Sequence, residues 1–354
     1  MTKLAILCDT HAGIRNSSDI FANNADLFYN DIFFPYLIKN NIKRIIHLGD
    51  VFDNRKFINF KSLHNYRKSF LTKLREYNIH MDVIPGNHDT FYKNTNELNA
   101  LKELLGHYMN EVTIHMDPTV LDFNGFKFAM LPWICADNYI KSIEFIQKCK
   151  ADWLGGHLEL KGFDVLKGVP SHGGMDAEIF SKFEQVISGH FHTKSERGNV
   201  KYLGTQLEFF WSDAHDPKHF HILDTETREL EAIHNPHTLF ERIYYDDSKD
   251  NYLNFDFTKV HNKFVKIVVI NKSDLFTFDQ FVDKIQSQPI HELKIAENFN
   301  EFIGSNVDDE GIKLEETETL LDTYVDGVDT DLDKDRIKLN MRNLLIEAQA
   351  LEIA

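Results

Sequence analysis

Cysteine is scarce in this 354-residue chain: Cys8, Cys135 and Cys149 are the only three. None sits in a CxxC pair, which excludes a disulfide framework and makes a reducing compartment the default expectation. Long apolar runs are missing as well. The run at 264–270 is far shorter than the ~20 residues a membrane-spanning helix needs, and Met1 leads straight into a strand-like segment instead of a charged and apolar leader. The expected setting is therefore the cytoplasm, with no membrane partner. Basic charge is in deficit too, with 39 Lys and Arg against 55 Asp and Glu and a formal net charge of −16. Taken alone, that argues against nucleic acid, because phosphate binding is dominated by Lys and Arg.

The average conceals a division. Residues 301–354 hold 15 acidic and 5 basic side chains, a net of −10 that leaves only −6 for the first 300 residues. Within those, residues 55–75 contain Arg55, Lys56, Lys61, Arg67, Lys68, Lys73 and Arg75 and no acid. The chain also has 18 histidines, an excess that points to metal chemistry only where they fall at coordinating positions.

The first half alternates short apolar runs with amphipathic stretches, the rhythm of β-α units and a sheet covered by helices. Residues 3–8, 43–48, 81–84, 152–155 and 185–188 read as buried strands. Helical spacing joins Phe60, Leu63, Phe70, Leu74 and Tyr77, and likewise Leu98, Leu101, Leu104 and Leu105. Asn124-Gly125 between alternating apolar residues predicts a hairpin, and a second hairpin is expected to join 220–223 with 230–233. After about residue 238 the pattern changes to strand (264–270), helix (274–286) and strand (290–296), a small α+β unit. An acidic linker follows, then two helical segments, 317–325 and 333–350. The expected division is 1–238, 239–303 and 304–354.

Five segments place a metal-competent side chain directly after an apolar run: Asp9-Thr10-His11, Gly49-Asp50, Gly86-Asn87-His88-Asp89, His157 after Gly155-Gly156, and Gly189-His190-Phe191-His192. Side chains at the carboxyl ends of strands in an open α/β sheet converge on one rim. A mixture of Asp, Asn and His suits a pair of divalent ions such as manganese, iron or zinc, whereas thiolates would indicate structural zinc. A lone histidine is more often a satisfied core or surface residue; five such motifs in order change that reading. Two such ions need a bridging carboxylate that holds them ~3.5–4 Å apart, and Asp50 is the candidate.

Asp9-x-His11, Gly49-Asp50-x-x-Asp53, Gly86-Asn87-His88-Asp89, His157 and Gly189-His190-x-His192 together resemble the signature of calcineurin-like metallophosphoesterases. Within that superfamily the chain resembles the SbcD branch of recombination and repair nucleases, toward the endonuclease subunits of T-even-type bacteriophages; residues 131–133, 156–160 and 188–193 carry the closer likeness. The resemblance implies a four-layer α/β fold, a β-sandwich flanked by helices, with a small α+β capping domain at 239–303 and C-terminal helices. It assigns Asp9, His11, Asp50 and His192 to one metal and Asp50, Asn87, His157 and His190 to the other, most readily manganese with magnesium as the alternative. His88 would be the catalytic histidine. Asp89 would orient His88 or stiffen its turn, and Asp53 would support the site from just outside it.

Protein phosphatases of the superfamily carry Gly-Asp-x-x-Asp-Arg-Gly and Gly-Asn-His-Glu, whereas this chain reads Asp53-Asn54-Arg55 and Asp89. The resemblance instead implies metal-dependent hydrolysis of DNA, as a duplex exonuclease and single-strand endonuclease. It further implies a homodimer and an SbcC-type coiled-coil ATPase partner, reached by the C-terminal helices, in the host cytoplasm if the chain is phage-encoded. Arg55, Lys56, Lys61, Arg67 and Lys68 are the expected DNA-backbone contacts, against the plainer reading of a solvated helix face. The alternatives are a small-molecule or nucleotide phosphodiesterase with the same two metals, and a binding scaffold whose site has decayed.

Overall fold

The computed structural model describes residues 3–250 and 252–297, together with Lys334, Arg336, Ile337, Lys338 and Met341. Strand Lys3–Leu7 illustrates how the sequence builds the fold. Leu4 and Ile6 pack into one apolar cluster and Ala5 and Leu7 into another, so both faces are buried. A strand covered on both sides reads as an unbroken apolar run, because its two-residue alternation meets core either way. The same split recurs at Ile45 and Ile46, at Val83 and Ile84, at Ala129 and Met130, and at Val186 and Ile187.

Two six-stranded sheets result. The first runs in the order Leu230–Asn235, Lys218–Asp224, Lys3–Leu7, Arg44–His47, His80–Val83, Val112–Ile114, with the last four parallel. The second runs Ser195–Arg197, Val200–Tyr202, Gln185–Gly189, Trp153–His157, Phe126–Leu131, Thr119–Phe123, parallel through its four central strands. The sheets face each other across Leu4, Ile6, Ile46, Leu48, Phe128, Met130 and Ile187. Gly155 permits that approach, since a Cβ there would come to 2.5 Å of the Phe128 ring and 2.8 Å of Leu48. Helices cover the outer face of the first sheet, and Tyr139–Lys148 covers the second. The layers are helix, sheet, sheet, helix.

Pro35 does not end the helix in which it sits. Asp19–Leu27, Phe28–Phe33 and Phe34–Lys39 form one continuous run, and the segment just before the proline is a π-helical turn. Widening the turn there relieves the clash a proline ring makes with the preceding turn. Phe60–Tyr66, Arg67–Leu71 and Thr72–Glu76 form a second run with a π turn at its centre. Its buried face is Leu63, Tyr66, Phe70 and Leu74, whereas Phe60, which helical spacing groups with them, is 87% exposed. The leucine series starting at Leu98 also contracts: the helix is Ala100–Leu105, and Leu98 precedes it on the surface.

Phe240–Asp246, Phe264–Asn271 and Glu292–Ala296 make a third, wholly parallel sheet. Leu275–Gln286 packs on one face through Phe278, Phe281 and Ile285. Its start is set by Asp274, whose carboxylate accepts from the N–H groups of Phe276 and Thr277. Of the expected segments at 317–325 and 333–350, only five described residues of the second are in view, and those are helical; the rest lies outside the described residues.

The chain enters this third sheet through a buried carboxylate. Glu208 accepts from the Leu239 N–H at 2.5 Å and the Phe240 N–H at 2.9 Å. Burial pushes the Glu208 carboxyl up to about 7, and the two amides offset only part of that. A carboxyl that holds its proton more tightly when folded contributes stability that is full below its unfolded value and is lost as pH rises through its folded one. Glu208→Gln is therefore expected to flatten the fall in melting temperature between about pH 4.5 and 7. Thermal melts across that range check it; an unchanged slope would mean that Glu208 is already ionised in the fold.

Candidate metal centre

Five parallel strands end at one rim, and the expected donors sit where they end. Asp9 and His11 follow Lys3–Leu7, Asp50 follows Arg44–His47, and Asn87 and His88 follow His80–Val83. His157 ends Trp153–His157, and His190 and His192 follow Gln185–Gly189. The turns that carry them are strained. Asp9, His11, Asp50 and His190 have φ of 50°, 43°, 54° and 86°, left-handed backbone that non-glycine residues seldom adopt and that concentrates at functional sites. Space is equally tight: a Cβ on Gly189 would come to 2.7 Å of Asp9 Oδ2, and one on Gly86 would run into the Asp50 carboxylate.

The donors fall into two sets. Asp9, His11 and His192 offer ligand atoms within 4.8 Å of one another, as do Asp50, His157 and His190. In the first set His11 Nε2 and His192 Nε2 face each other at 3.1 Å. In the second, Asn87 Oδ1 lies 2.9 Å from His157 Nε2 and 3.0 Å from His190 Nδ1. Asp50 stands between them: its Oδ2 is 3.2 Å from His157 Nε2 and 3.8 Å from His11 Nε2, while Oδ1 accepts the His88 N–H at 2.8 Å. One carboxylate oxygen thus faces both sets.

These atoms suit cations. Asp9 and Asp50 are buried, and buried carboxylates stacked with imidazole lone pairs are costly without positive charge. Burial works to raise the Asp50 carboxyl, but the His157, His88 and His11 imidazoles outweigh it and hold it well below the ordinary carboxylate range. Burial likewise works to neutralise His157, yet Asp50 and Asp9 raise it to about 9. The edge of His157 that faces Asp50 is thereby marked as a cation position. The opposite edge is fixed, because Nδ1 donates to the Leu48 carbonyl at 2.9 Å, and a partner of this kind sets the tautomer of a coordinating histidine. Oxygen and imidazole donors without thiolate fit a divalent ion of manganese, iron or zinc type.

Asp53 and Asp89 support the centre differently. The Asp53 carboxylate lies 3.3 Å from His11 Nδ1, and its carbonyl accepts from His88 Nδ1 at 2.5 Å. Asp89 is buried and accepts from the backbone N–H groups of Gly86, Val51 and Phe52 at 2.9, 3.0 and 3.1 Å. Of the two roles open to it from sequence, the geometry is that of stiffening the turn. Burial and the Asp50 charge raise its carboxyl to about 7.

The expected DNA contacts divide. Lys56 and Lys68 are exposed and Arg55 is half-buried. Lys61 pairs with Asp19 at 2.6 Å, and half-buried Arg67 donates to the Leu104 carbonyl at 3.4 Å. Lys73 and Arg75 bond Asn30 and Glu111. Three aromatic residues not expected at the site do border it. Trp133 lies 5.2 Å from the His190 ring, Phe209 meets His11 edge-on at 5.4 Å, and Phe210 stacks on His192 at 5.7 Å. Trp133 follows a proline at a strand end, a usable signal; Phe209 and Phe210 follow no motif.

No protein-family model matches the chain. It is 33% identical to exonuclease subunit 1 of Enterobacteria phage T4 over 350 residues, 98% of this chain and 99% of that protein. It is 26% identical to the SbcD component of the SbcCD nuclease of Staphylococcus epidermidis, across 40% of this chain and 49% of that one. Solved structures include an archaeal phosphodiesterase, at TM-score 0.34 and 18% identity over 66% of this chain and 100% of that one. A purple acid phosphatase from yellow lupin seeds matches at TM-score 0.36 and 10% identity over 65% and 52%. On the strength of a likeness that runs almost end to end, the chain belongs to the family of SbcD-type nucleases that includes the phage exonuclease subunit 1.

Proposed function

We propose that this chain is the nuclease subunit of a DNA repair and recombination complex, hydrolysing phosphodiesters with two divalent ions, manganese first among them. The observation that carries the reading is Asp50 Oδ2, set between two groups of buried donors. Asp9, His11, Asp50 and His192 would hold one ion and Asp50, Asn87, His157 and His190 the other; when bound, such a pair activates water and neutralises charge developing at phosphorus. His88 is held with its ring edge-on to His11, centroids 4.8 Å apart, by the Asp53 carbonyl. That bond keeps a proton on Nδ1 and leaves Nε2 as the edge that hands a proton to the departing oxygen. Asp89 keeps the turn in place for this transfer.

The relatives' names support DNA as the substrate and an SbcC-type ATPase as partner. Lys56 and Lys68, exposed on and beside the helix that follows Asp53, are the best placed of the basic residues to meet a DNA backbone. Reversing both charges is expected to weaken DNA binding and flatten its salt dependence by about one to two phosphate contacts; an unchanged slope would return them to a solvated surface. We further propose that the unit at 239–303 caps the site, that residues 304–354 dock on the ATPase, and that two copies pair. Phe57, 72% exposed, and Phe60 give the pairing face an apolar centre. Among the described residues no helix is long and apolar enough to cross a membrane, and the proposed location is the cytoplasm.

The test is hydrolysis of end-labelled single- and double-stranded DNA with manganese, beside Asp50→Ala and beside a chromogenic phosphodiester. DNA cleavage that disappears in the variant supports the nuclease. Turnover of the chromogenic ester alone, with the ATPase subunit present, would favour a small-substrate phosphodiesterase instead.

A further inference from the structure

Residues 207–218 touch the metal centre on one side and the third sheet on the other. On the metal side, Phe210 stacks on His192, with centroids 5.7 Å apart and planes 20° from parallel, and Phe209 meets His192 edge-on at 5.6 Å. The backbone is tied to the same histidine. Asp213 accepts from the N–H groups of Phe209 and Phe210 at 2.7 and 2.9 Å. It also accepts from the buried Lys218 ammonium at 2.6 Å, and that ammonium in turn donates to the His192 carbonyl at 3.4 Å.

On the other side, two cations of the third sheet hold Trp211. Arg242, on Phe240–Asp246, donates to the Trp211 carbonyl at 2.7 Å. Lys266, on Phe264–Asn271, is buried and sets its ammonium 4.4 Å from the indole centroid. A buried ammonium is costly without compensation, and the face of a tryptophan is the strongest that an aromatic ring offers. The indole and the lysine therefore hold each other in place.

We infer that residues 207–218 couple the two units: the seating of the third sheet, passed through Lys266, Arg242 and Trp211, sets the orientation of His192. It thereby sets the affinity of the ion that His192 would share with Asp9, His11 and Asp50. The inference rests on reading His192 as a metal donor. Trp211, Arg242 and Lys266 are positioning residues, acting on the ion only through Phe210 and the histidine. Groups that orient a ligand in this way typically change metal affinity by about 10- to 100-fold when removed.

Manganese titrations of the full chain, by calorimetry with electron paramagnetic resonance counting the bound ion, test this on wild type, His192→Ala, Lys266→Met and Lys266→Arg. Lys266→Met keeps an apolar stem in the buried position and removes only the charge; a thermal melt verifies that the variant is folded. In Lys266→Met the site abolished by His192→Ala is expected to weaken about tenfold, with the other site unchanged and Lys266→Arg restoring most of the loss. Cleavage of a chromogenic phosphodiester by Lys266→Met should then need more manganese for its half-maximal rate and reach the wild-type rate at saturation. Wild-type affinity at both sites, or equal weakening of both, overturns the coupling while leaving the metal reading intact. A wild-type chain that takes up no manganese overturns both.

Discussion

Replacing His88 with alanine is expected to cut turnover by about 10²- to 10⁴-fold, the range for losing a positioned proton donor, while the chain keeps its full complement of metal. The expectation follows from how the ring is held. Its Nδ1 donates to the Asp53 carbonyl and its backbone N–H to Asp50 Oδ1, so the ring is fixed from behind at the edge of the donor cluster. The backbone bond survives in the variant, which leaves Asp50 where it is. Metal analysis of the purified variant beside its rate decides the matter. His11, Asp53 and His88 also offer ligand atoms within 4.8 Å of one another, so loss of metal together with activity would make His88 a ligand and not a proton donor.

Asp50→Asn should have the larger effect, because one side chain serves both donor sets. An amide of the same shape still accepts the His88 N–H, so the turn is expected to persist, but no anionic oxygen remains between His11 and His157. Both ions are expected to bind more weakly. Activity should fall by at least about 10⁴-fold, since several kcal/mol of charge stabilisation is removed and each ~1.4 kcal/mol is a factor of ten. Losing one ion while the other binds as tightly as in wild type would show that Asp50 serves a single site. The raised state of His157 depends on the same carboxylate, so proton resonances of that ring should shift in the variant as well.

The donors were legible in the sequence because each is local: a side chain one to four residues beyond an apolar run, with glycine beside it in four of five motifs. A strand buried on both faces, as at residues 3–7, cannot be mistaken for a polar edge, so the two sheets were legible too. What could not be read depends on distant partners. Lys61 and Arg67 look like a basic stripe until Asp19 and the Leu104 carbonyl arrive from 42 and 37 positions away. Phe209 and Phe210 reach the centre only because the strand at Lys218–Asp224 folds back beside Lys3–Leu7. Asp89 was ambiguous for a related reason, since the three amides that claim its carboxylate come from two turns. Pro35 misled locally: the rule that proline ends a helix omits the π turn that absorbs it. Strands of two or three residues, such as Val112–Ile114 and Ser195–Arg197, carry too little alternation to be recognised.

The most direct test of the central claim is anomalous scattering from crystals of the chain grown with manganese. Two peaks about 3.5–4 Å apart, bridged by Asp50 and flanked by His11 and His192 on one side and Asn87, His157 and His190 on the other, are the predicted result. A single ion, or ions seated at His88 and Asp53 instead, would contradict the two-metal account.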